Sequence, residues 1–400
     1  MTTRRPRAAT DTPELVEPPP LSSTLHRGRV SNKNAVFKKV LKRAGFPMVA
    51  LLAIAFVCFQ TTAPQSPILA QELSSASETK AIVETPPLFK LEGCPAHLTQ
   101  TKDLTTPGPK QYKSADSFDG VQPAFKFGTF FKPSAAKSHM RNDVPYFEFL
   151  RKQITSPDVR MALDVGANQG FYTYFLAALG FQQVHAFEIS SRNFVALQHG
   201  KLYNTPELGA RVLPHMVGLS DRSSQFNLAD EGTSYGTHLV EAVGNSSGTV
   251  QTTTMDCFLL NFHQDLLENI GFMKIDTEGF EMAVLKGMHM SLPRLLNLKQ
   301  IFMEIGPNRW ARSGLSIDEG VAEIGHLMVY LPHAFIFTRN DEACPENIMD
   351  SNTVTPSESL TENVKMWKIR KYQMHAIMSK MEQMGADCNF WFSQTPHSPK

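Results

Sequence analysis

Met161-Ala-Leu-Asp-Val-Gly-Ala-Asn-Gln-Gly-Phe-Tyr-Thr-Tyr-Phe-Leu-Ala-Ala-Leu-Gly180 is the stretch whose reading decides the fold. The apolar run 161–165 predicts a buried strand, Gly166 and Gly170 a turn, and 171–179 a helix that Gly180 can close. An acid at a strand end, two glycines four apart and a helix start let the polar atoms of a ligand approach backbone N–H groups closely. The Gly-x-Gly-x-x-Gly spacing that suits a pyrophosphate is absent, which points to a cofactor without one. Twenty-four residues after Asp164, Glu188 ends the next apolar run, Val184-His-Ala-Phe187. A carboxylate there has two oxygens for the vicinal hydroxyls of a ribose, so the two features together predict an adenosine-type cofactor. His185, inside that run, reads as a core histidine.

Outward from this unit, short apolar runs alternate with amphipathic stretches, the pattern of an α/β fold with a largely parallel sheet and helices on both faces. Further strands are predicted at 211–219, 271–275, 301–305, 334–338 and 389–392. Ser190 or Ser191 can cap a helix carrying Phe194, Leu197 and Leu202. Ser316 and Glu319 form a capping box opening another helix, and a Met- and Lys-rich helix is expected over 363–384. Between Asp221 and Gly248 the chain turns polar, with 226–228 and 249–253 as strands of a hairpin-like insertion.

The 400 residues are 42% hydrophobic and 19% charged, with 24 Gly and 26 Pro, which excludes a collagen, a coiled coil and a wholly disordered chain. The net charge of +1 gives no case for nucleic acid as a partner, but residues 1–43 hold ten Lys/Arg against three Asp/Glu. They read as a disordered, basic cytosolic tail. Residues 44–63 follow as a transmembrane signal anchor, apolar and uncharged, and the basic flank keeps the N-terminus cytosolic. The rival reading is a signal peptide cleaved after 68–70, giving a secreted protein. Residues 64–115, rich in proline, are expected to be a stem, and 116–400 the lumenal domain, in the Golgi or endoplasmic reticulum. Of five cysteines, Cys58 lies in the anchor. Cys94, Cys257, Cys344 and Cys388 permit disulfides in an oxidising lumen, although Cys257, in an apolar run, reads as a buried free thiol.

The second informative stretch is Phe272-Met-Lys-Ile-Asp-Thr-Glu-Gly-Phe-Glu-Met-Ala-Val-Leu-Lys-Gly287. A buried strand delivers Lys274, Asp276 and Glu278 to the carboxyl edge, where open α/β sheets bind ligands. The bland alternative is that these charges pair and cap the following helix. Asp-Val-Gly-Ala-Asn-x-Gly, the later Ala-Phe-Glu188, Gly218-Leu-Ser-Asp221, Met255-Asp256, Lys-Ile-Asp-Thr-Glu-Gly-Phe-Glu with Val-Leu-Lys-Gly, and Met303-Glu304-Ile305 follow in order over about 160–306. This ordered set resembles the FkbM-type S-adenosylmethionine-dependent methyltransferases. The resemblance implies a class I methyltransferase, Rossmann-like fold and methyl transfer to an oxygen, typically a hydroxyl of a sugar or natural product. By position it assigns Asp164, Gly166, Asn168 and Gly170 to the methionine part of the cofactor, Glu188 to its ribose and Asp221 to the neighbourhood of the adenine. Asp276 and Glu278 would border the reacting centre. Residues 1–115 and about 340–400 have no counterpart in that core, and Thr277 departs from the apolar residue common between the two acids.

Methyl transfer from a sulfonium is an in-line displacement, so positioning and water exclusion carry much of the acceleration. A base that takes the hydroxyl proton adds about 10²–10⁴-fold. Candidates are Glu278, the preferred one, Asp276, and His238 in the insertion. Asp276 and Glu304 are also candidates for a divalent cation, and neither metal dependence nor oligomeric state follows from the sequence. Two other classes fit parts of the pattern: a lumenal glycosyltransferase with a degenerate metal motif at Asp276-Thr-Glu278, and a catalytically inactive methyltransferase-fold binding protein.

Overall fold

The computed structural model describes residues 91–95, 112–117, 121–154, 160–229, 238–241, 249–340, 343–349 and 356–397. The expected tail, the anchor and most of the stem lie outside the described residues. Among the described residues, no helix is long and apolar enough to cross a membrane.

Nine strands form one sheet: β1 (Met161–Val165), β2 (Gln183–Phe187), β3 (Val212–His215), β4 (Ile270–Ile275), β5 (Gln300–Ile305), β6 (His333–Arg339), β7 (Glu358–Thr361), β8 (Val364–Ile369) and β9 (Cys388–Ser393). Their spatial order is β7-β8-β6-β9-β5-β4-β1-β2-β3. The five strands from β3 to β5 run parallel. β9 is antiparallel to both β5 and β6, and β8 to β6, so the sheet is mixed. From β1 the chain moves outward through β2 and β3, then returns to β4 on the other side of β1. The order therefore reverses between β1 and β4, which is where such sheets bind ligands. Pro214 lacks an N–H to donate and sits in β3, at the sheet edge.

Period-two alternation sends neighbouring side chains of each strand to opposite faces. Leu163, Met273, Ile275, Ile301, Met303, Phe390 and Phe392 enter one buried cluster. Ala162, Phe272, Phe302 and Trp391 enter the other, built largely of aromatic rings. The aromatic face is covered by α1 (Pro133–Met140), α2 (Val144–Gln153) and α3 (Phe171–Leu179), with Leu197 of α4 (Ser191–Tyr203) joining it. The opposite face is covered by α5 (Glu281–Lys286), α6 (Ile317–Tyr330) and α7 (Met374–Met384). Ser190 caps α4 by accepting from Asn193 N–H, the capping box of Ser316 and Glu319 opens α6, and Gly180 closes α3 in the left-handed conformation.

Several expectations are corrected. Residues 364–369 form β8 rather than the start of a helix: Val364, Met366, Trp367 and Ile369 are buried against β6, and this pairing overrides the helix propensity of Lys and Met. The strand expected over 211–219 is broken, with Gly218–Leu219 belonging to a second sheet. That sheet contains the insertion, Gln225–Ala229, His238–Glu241 and Thr249–Thr253, in the order 218–249–225–238 by first residue. Cys257 is not a free thiol but is bonded to Cys94, and Cys344 to Cys388. Cys257 opens a π-helical turn, Cys257–Phe262, whose Asn261 exchanges two hydrogen bonds with the backbone of Leu91. The folded unit thus reaches back into the stretch read as stem, where Lys113–Asp116 also pairs with Lys126–Thr129.

Under denaturing, non-reducing conditions, alkylation is expected to label a single thiol per chain, Cys58, of the five cysteines. Mass spectrometry reading more than one label would refute the pairing. Loss of the Cys344–Cys388 bridge, which spans 44 residues, is expected to cost about 4 kcal/mol in a denaturant melt.

Candidate active site

The turn after β1 folds as its glycines require. Gly166 has φ +80°, and a Cβ there would lie 1.7 Å from the carbonyl oxygen of Asp276. No side chain fits, so the β1 turn and the end of β4 touch backbone to backbone. Gly166 and Ala167 donate their N–H groups to the Phe187 carbonyl, and Asp276 donates its own to Val165. Asn168 also adopts a positive φ, 52°. Three loops are thereby laced together at the carboxyl edge of β1, β2 and β4.

One cleft opens on this junction. Its walls include Gly166 and Asn168 from the first turn, Glu188 after β2, Gly218 and Leu219, and Asp276, Thr277 and Glu278 after β4. Glu188 is buried, with one carboxylate oxygen accepting from Asn168 N–H at 2.6 Å and the other from Ser190 N–H at 2.7 Å. Burial pushes its pKa up to about 7. Each oxygen keeps a lone pair for a further donor. Asn168 Oδ1 is buried with no hydrogen-bond partner.

Asp164 does not line the cleft. It is fully buried below the turn, where it accepts from the Thr173 hydroxyl, and it is the β-ladder partner of Lys274. Lys274 Nζ lies 2.9 Å from Asp276, 3.9 Å from Asp164 and 3.3 Å from the Gly166 carbonyl. Burial opposes the Lys274 charge, but Asp276 and Asp164 outweigh it and raise the pKa above the ordinary value. Burial likewise opposes the Asp276 charge, but Lys274 holds its carboxyl below the usual range. Gly170 opens α3 in the left-handed conformation, supporting the turn from beneath. Asp221 is outside the cleft wall, its carboxylate facing Lys286 at 3.5 Å and Arg222 at 3.6 Å. His238 begins the strand His238–Glu241, paired across from Ala229. His185 is buried beside His215, 3.0 Å away, and burial pushes its pKa down to about 4.

Beyond the cleft wall the charge continues. Glu278, at φ 56°, places a carboxylate oxygen on Arg309 Nη1, and Arg309 Nη2 lies 3.1 Å from Asp387 and 3.6 Å from Glu304. Burial, then the Asp276, Glu281 and Asp387 carboxylates, push Glu278 up to about 8 against the pull of Arg309. Asp276 shares a hydrogen bond with Glu304. Glu281 braces the turn before α5: its Oε1 accepts from Thr277 N–H, the Thr277 hydroxyl and Gly279 N–H, leaving Asp276 and Glu278 for other partners. Asp143, between α1 and α2, faces Lys274 and Asp276, is hydrogen-bonded by Tyr172, and is pushed up to about 7 chiefly by burial. Arg309, Asp387, Asp143 and Tyr172 escaped the sequence reading. Arg309, Asp387 and Asp143 come from elements distant in sequence, with no local motif to flag them, and Tyr172, inside the 171–179 helix, carries no signal of its own.

Replacing Lys274 by Met is expected to lower stability by about 3–5 kcal/mol in a urea melt, because Asp164 is then left charged and buried with one hydroxyl for a partner. A loss below about 1 kcal/mol would show that Lys274 does not hold this junction.

Residues 164–338 match the family described as the Methyltransferase FkbM domain. No curated protein matches the chain. Among solved structures, the chain is similar to a SAM-dependent methyltransferase from Agrobacterium tumefaciens, at 10% identity over 71% of each chain with a TM-score of 0.34. It is similar to precorrin-6y C5,15-methyltransferase from Geobacter metallireducens, at 10% identity over 63% of this chain and 89% of that one with a TM-score of 0.28. An O-methyltransferase from Bacillus cereus in complex with SAH shares 12% identity over 62% of this chain and 80% of that one, with a TM-score of 0.30. The glycine turn, Glu188 and the Lys274 edge all fall within the matched segment, and the chain carries an FkbM methyltransferase domain over residues 164–338.

Proposed function

We propose that this protein is an S-adenosylmethionine-dependent O-methyltransferase acting on a hydroxyl of a glycan or another hydroxylated acceptor. The observation that carries the reading is a single cleft in which the Gly166 turn, the Glu188 carboxylate and the acidic pair Asp276 and Glu278 meet. The residues fit the cofactor: Glu188 has two lone pairs for ribose hydroxyls, Asn168 Oδ1 is a buried acceptor without a partner, and Gly166 leaves the backbone bare. Gly166 and Asn168 would hold the methionine part and Glu188 the ribose, with Asp164 and Gly170 positioning the turn rather than touching the ligand. When bound, S-adenosylmethionine supplies a methyl group on a positively charged sulfur.

The chain's own residues do the rest. Phe187, Val217 and Phe280 line the cleft with apolar surface that displaces water. Asp276, held ionised by Lys274, puts negative charge where a cationic ligand needs it. Glu278 receives the acceptor's hydroxyl proton at its carboxylate, a base strengthened by a pKa raised to about 8. Asp143, at about 7, is the second carboxylate suited to that role. Asp276, Glu278 and Glu304 bring their oxygens within 4.8 Å of one another, as a divalent cation would require. Arg309 already supplies a positive charge among them, and we read it as the counter-ion of the acceptor side.

The uncharged run 44–71 and its basic flank support placement as a single-pass anchored protein with the domain in the Golgi or endoplasmic reticulum lumen. Two disulfides fit such an oxidising compartment.

Calorimetry with S-adenosylmethionine is the direct test, with a sugar nucleotide as the contrasting ligand. Glu188→Ala is expected to weaken cofactor binding at least about 30-fold, the loss of roughly 2 kcal/mol of hydrogen bonds to a charged acceptor. Undiminished binding, or binding of the sugar nucleotide instead, would overturn the assignment. The pH dependence has a definite sign. In the empty protein the raised Glu188 pKa makes ionisation increasingly costly from about pH 4.5 to 7. Ribose hydroxyls donate to the ionised form, so affinity should tighten as pH rises through about 7 and then level off, with Glu188→Gln giving a flat profile. For turnover, Glu278→Gln is expected to reduce kcat by about 10²–10⁴-fold. It should also remove the rise in wild-type kcat/KM through about pH 8. A variant with wild-type kcat would move the base role to Asp143.

A further inference from the structure

A second cluster of metal-ligating side chains lies on the helical layer, outside the cleft. Glu323 and His326 are three residues apart on α6, so both side chains leave the same face of the helix. His289 follows the end of α5, which begins beside the Glu278 turn and leads away from it. Its Nε2 lies 2.5 Å from a Glu323 carboxylate oxygen, and its ring centroid is 4.4 Å from that of His326. One ligand atom from each of the three side chains lies within 4.8 Å of the other two. The Glu323 side chain is 14% exposed and that of His289 41%, so the cluster is half-buried with one open side.

We propose that His289, Glu323 and His326 form a binding site for a divalent transition-metal ion of the zinc type, with solvent as the fourth ligand. Two imidazole nitrogens and one carboxylate oxygen on a rigid helix and an adjoining turn are a donor set that zinc takes in tetrahedral geometry. The nitrogens disfavour magnesium and calcium, which take oxygen ligands. With ligands at about 2.0–2.1 Å, the His289 to Glu323 contact must open to roughly 3.3 Å. The open side of His289 gives it room to do so.

The ion would tie the turn after α5 to α6. That turn is already held by Asp256, which accepts from Met290 N–H at 3.0 Å and Ser291 N–H at 2.6 Å. One group opposes the cation. Lys371, whose Nζ donates to the Gly325 carbonyl at 3.0 Å, acts on His326 with its positive charge.

The test uses the full chain, stripped with a chelator and free of any polyhistidine tag. Zinc titration should give one equivalent per chain, and cobalt in its place should show the visible bands of a tetrahedral site. His289→Ala and His326→Ala should each weaken zinc binding by about tenfold or more, at least what losing a supporting partner of a ligand costs. Glu323→Gln should do the same, while Lys371→Gln should tighten binding. Melting curves of the metal-free variants matching the wild type would show that the losses are local. Zinc affinity unchanged in the His289→Ala, His326→Ala double variant would overturn the proposal, as would a wild-type chain that takes up no zinc. Carboxylate-only binding at Asp276, Glu278 and Glu304 is separated by the same double variant, which leaves those oxygens in place.

Discussion

The charge of Lys274 is the constraint on which the site depends. A lysine buried this deeply is tolerated only if its charge is matched, and Asp164 and Asp276 match it from the two strands that flank the point where strand order reverses. The third contact, to the Gly166 carbonyl, extends the same ammonium to the turn between β1 and α3. The Tyr172 ring, 5.0 Å from Nζ, closes the remaining side. A buried ion pair of this kind contributes little net stability but strongly disfavours any arrangement that leaves one partner alone. It therefore acts on precision: the relative height of β1 and β4, and with it the meeting of Gly166 and Asp276, is set by where one ammonium finds its partners.

The edge above that ammonium carries more carboxylates than cations. Asp143, Glu278, Glu304 and Asp387 surround Asp276, with Arg309 as the principal balancing charge. Burial and mutual repulsion raise several of their pKa values, so the cluster holds protons that it can exchange near neutrality. Negative potential in a partly dry cleft suits a cationic ligand and a proton transfer alike. Separation follows from partners: Asp276 is tied to Lys274 and stays ionised, whereas Glu278, on a left-handed backbone, pairs with Arg309.

The sequence was most legible where structure is local. The run 161–180 contains its strand, turn and helix within twenty residues, and both element boundaries and the glycine conformations follow from it. Glu188 was legible because strand, helix and strand keep a regular spacing in α/β units. Residues 364–369 were not, because their two lysines and one methionine blend into the Met- and Lys-rich run that follows, and the pairing with β6 decides for a strand. Arg309, Asp387 and Asp143 reach the site from a 3₁₀ turn, the loop before β9 and the junction of α1 and α2. Nothing in their own neighbourhoods encodes that convergence. The partner of Cys257 lay equally far away, across 163 residues of chain.

β9 is the last of the nine strands to be synthesised, yet it lies in the interior of the sheet, with β5 on one side and β6 on the other. Until it emerges, β6 has no place to dock, and β8 and β7, which reach the sheet only through β6, wait with it. The ribosome must therefore deliver almost the whole domain before β6, β7 and β8 can join the parallel strands through β9, the kind of late, non-local pairing that slows folding. Asp387 enters the acidic edge on the same late segment. A nascent chain halted before residue 387 would hold the Gly166 turn and the five parallel strands but neither Asp387 nor the interior strand that joins β6 to them.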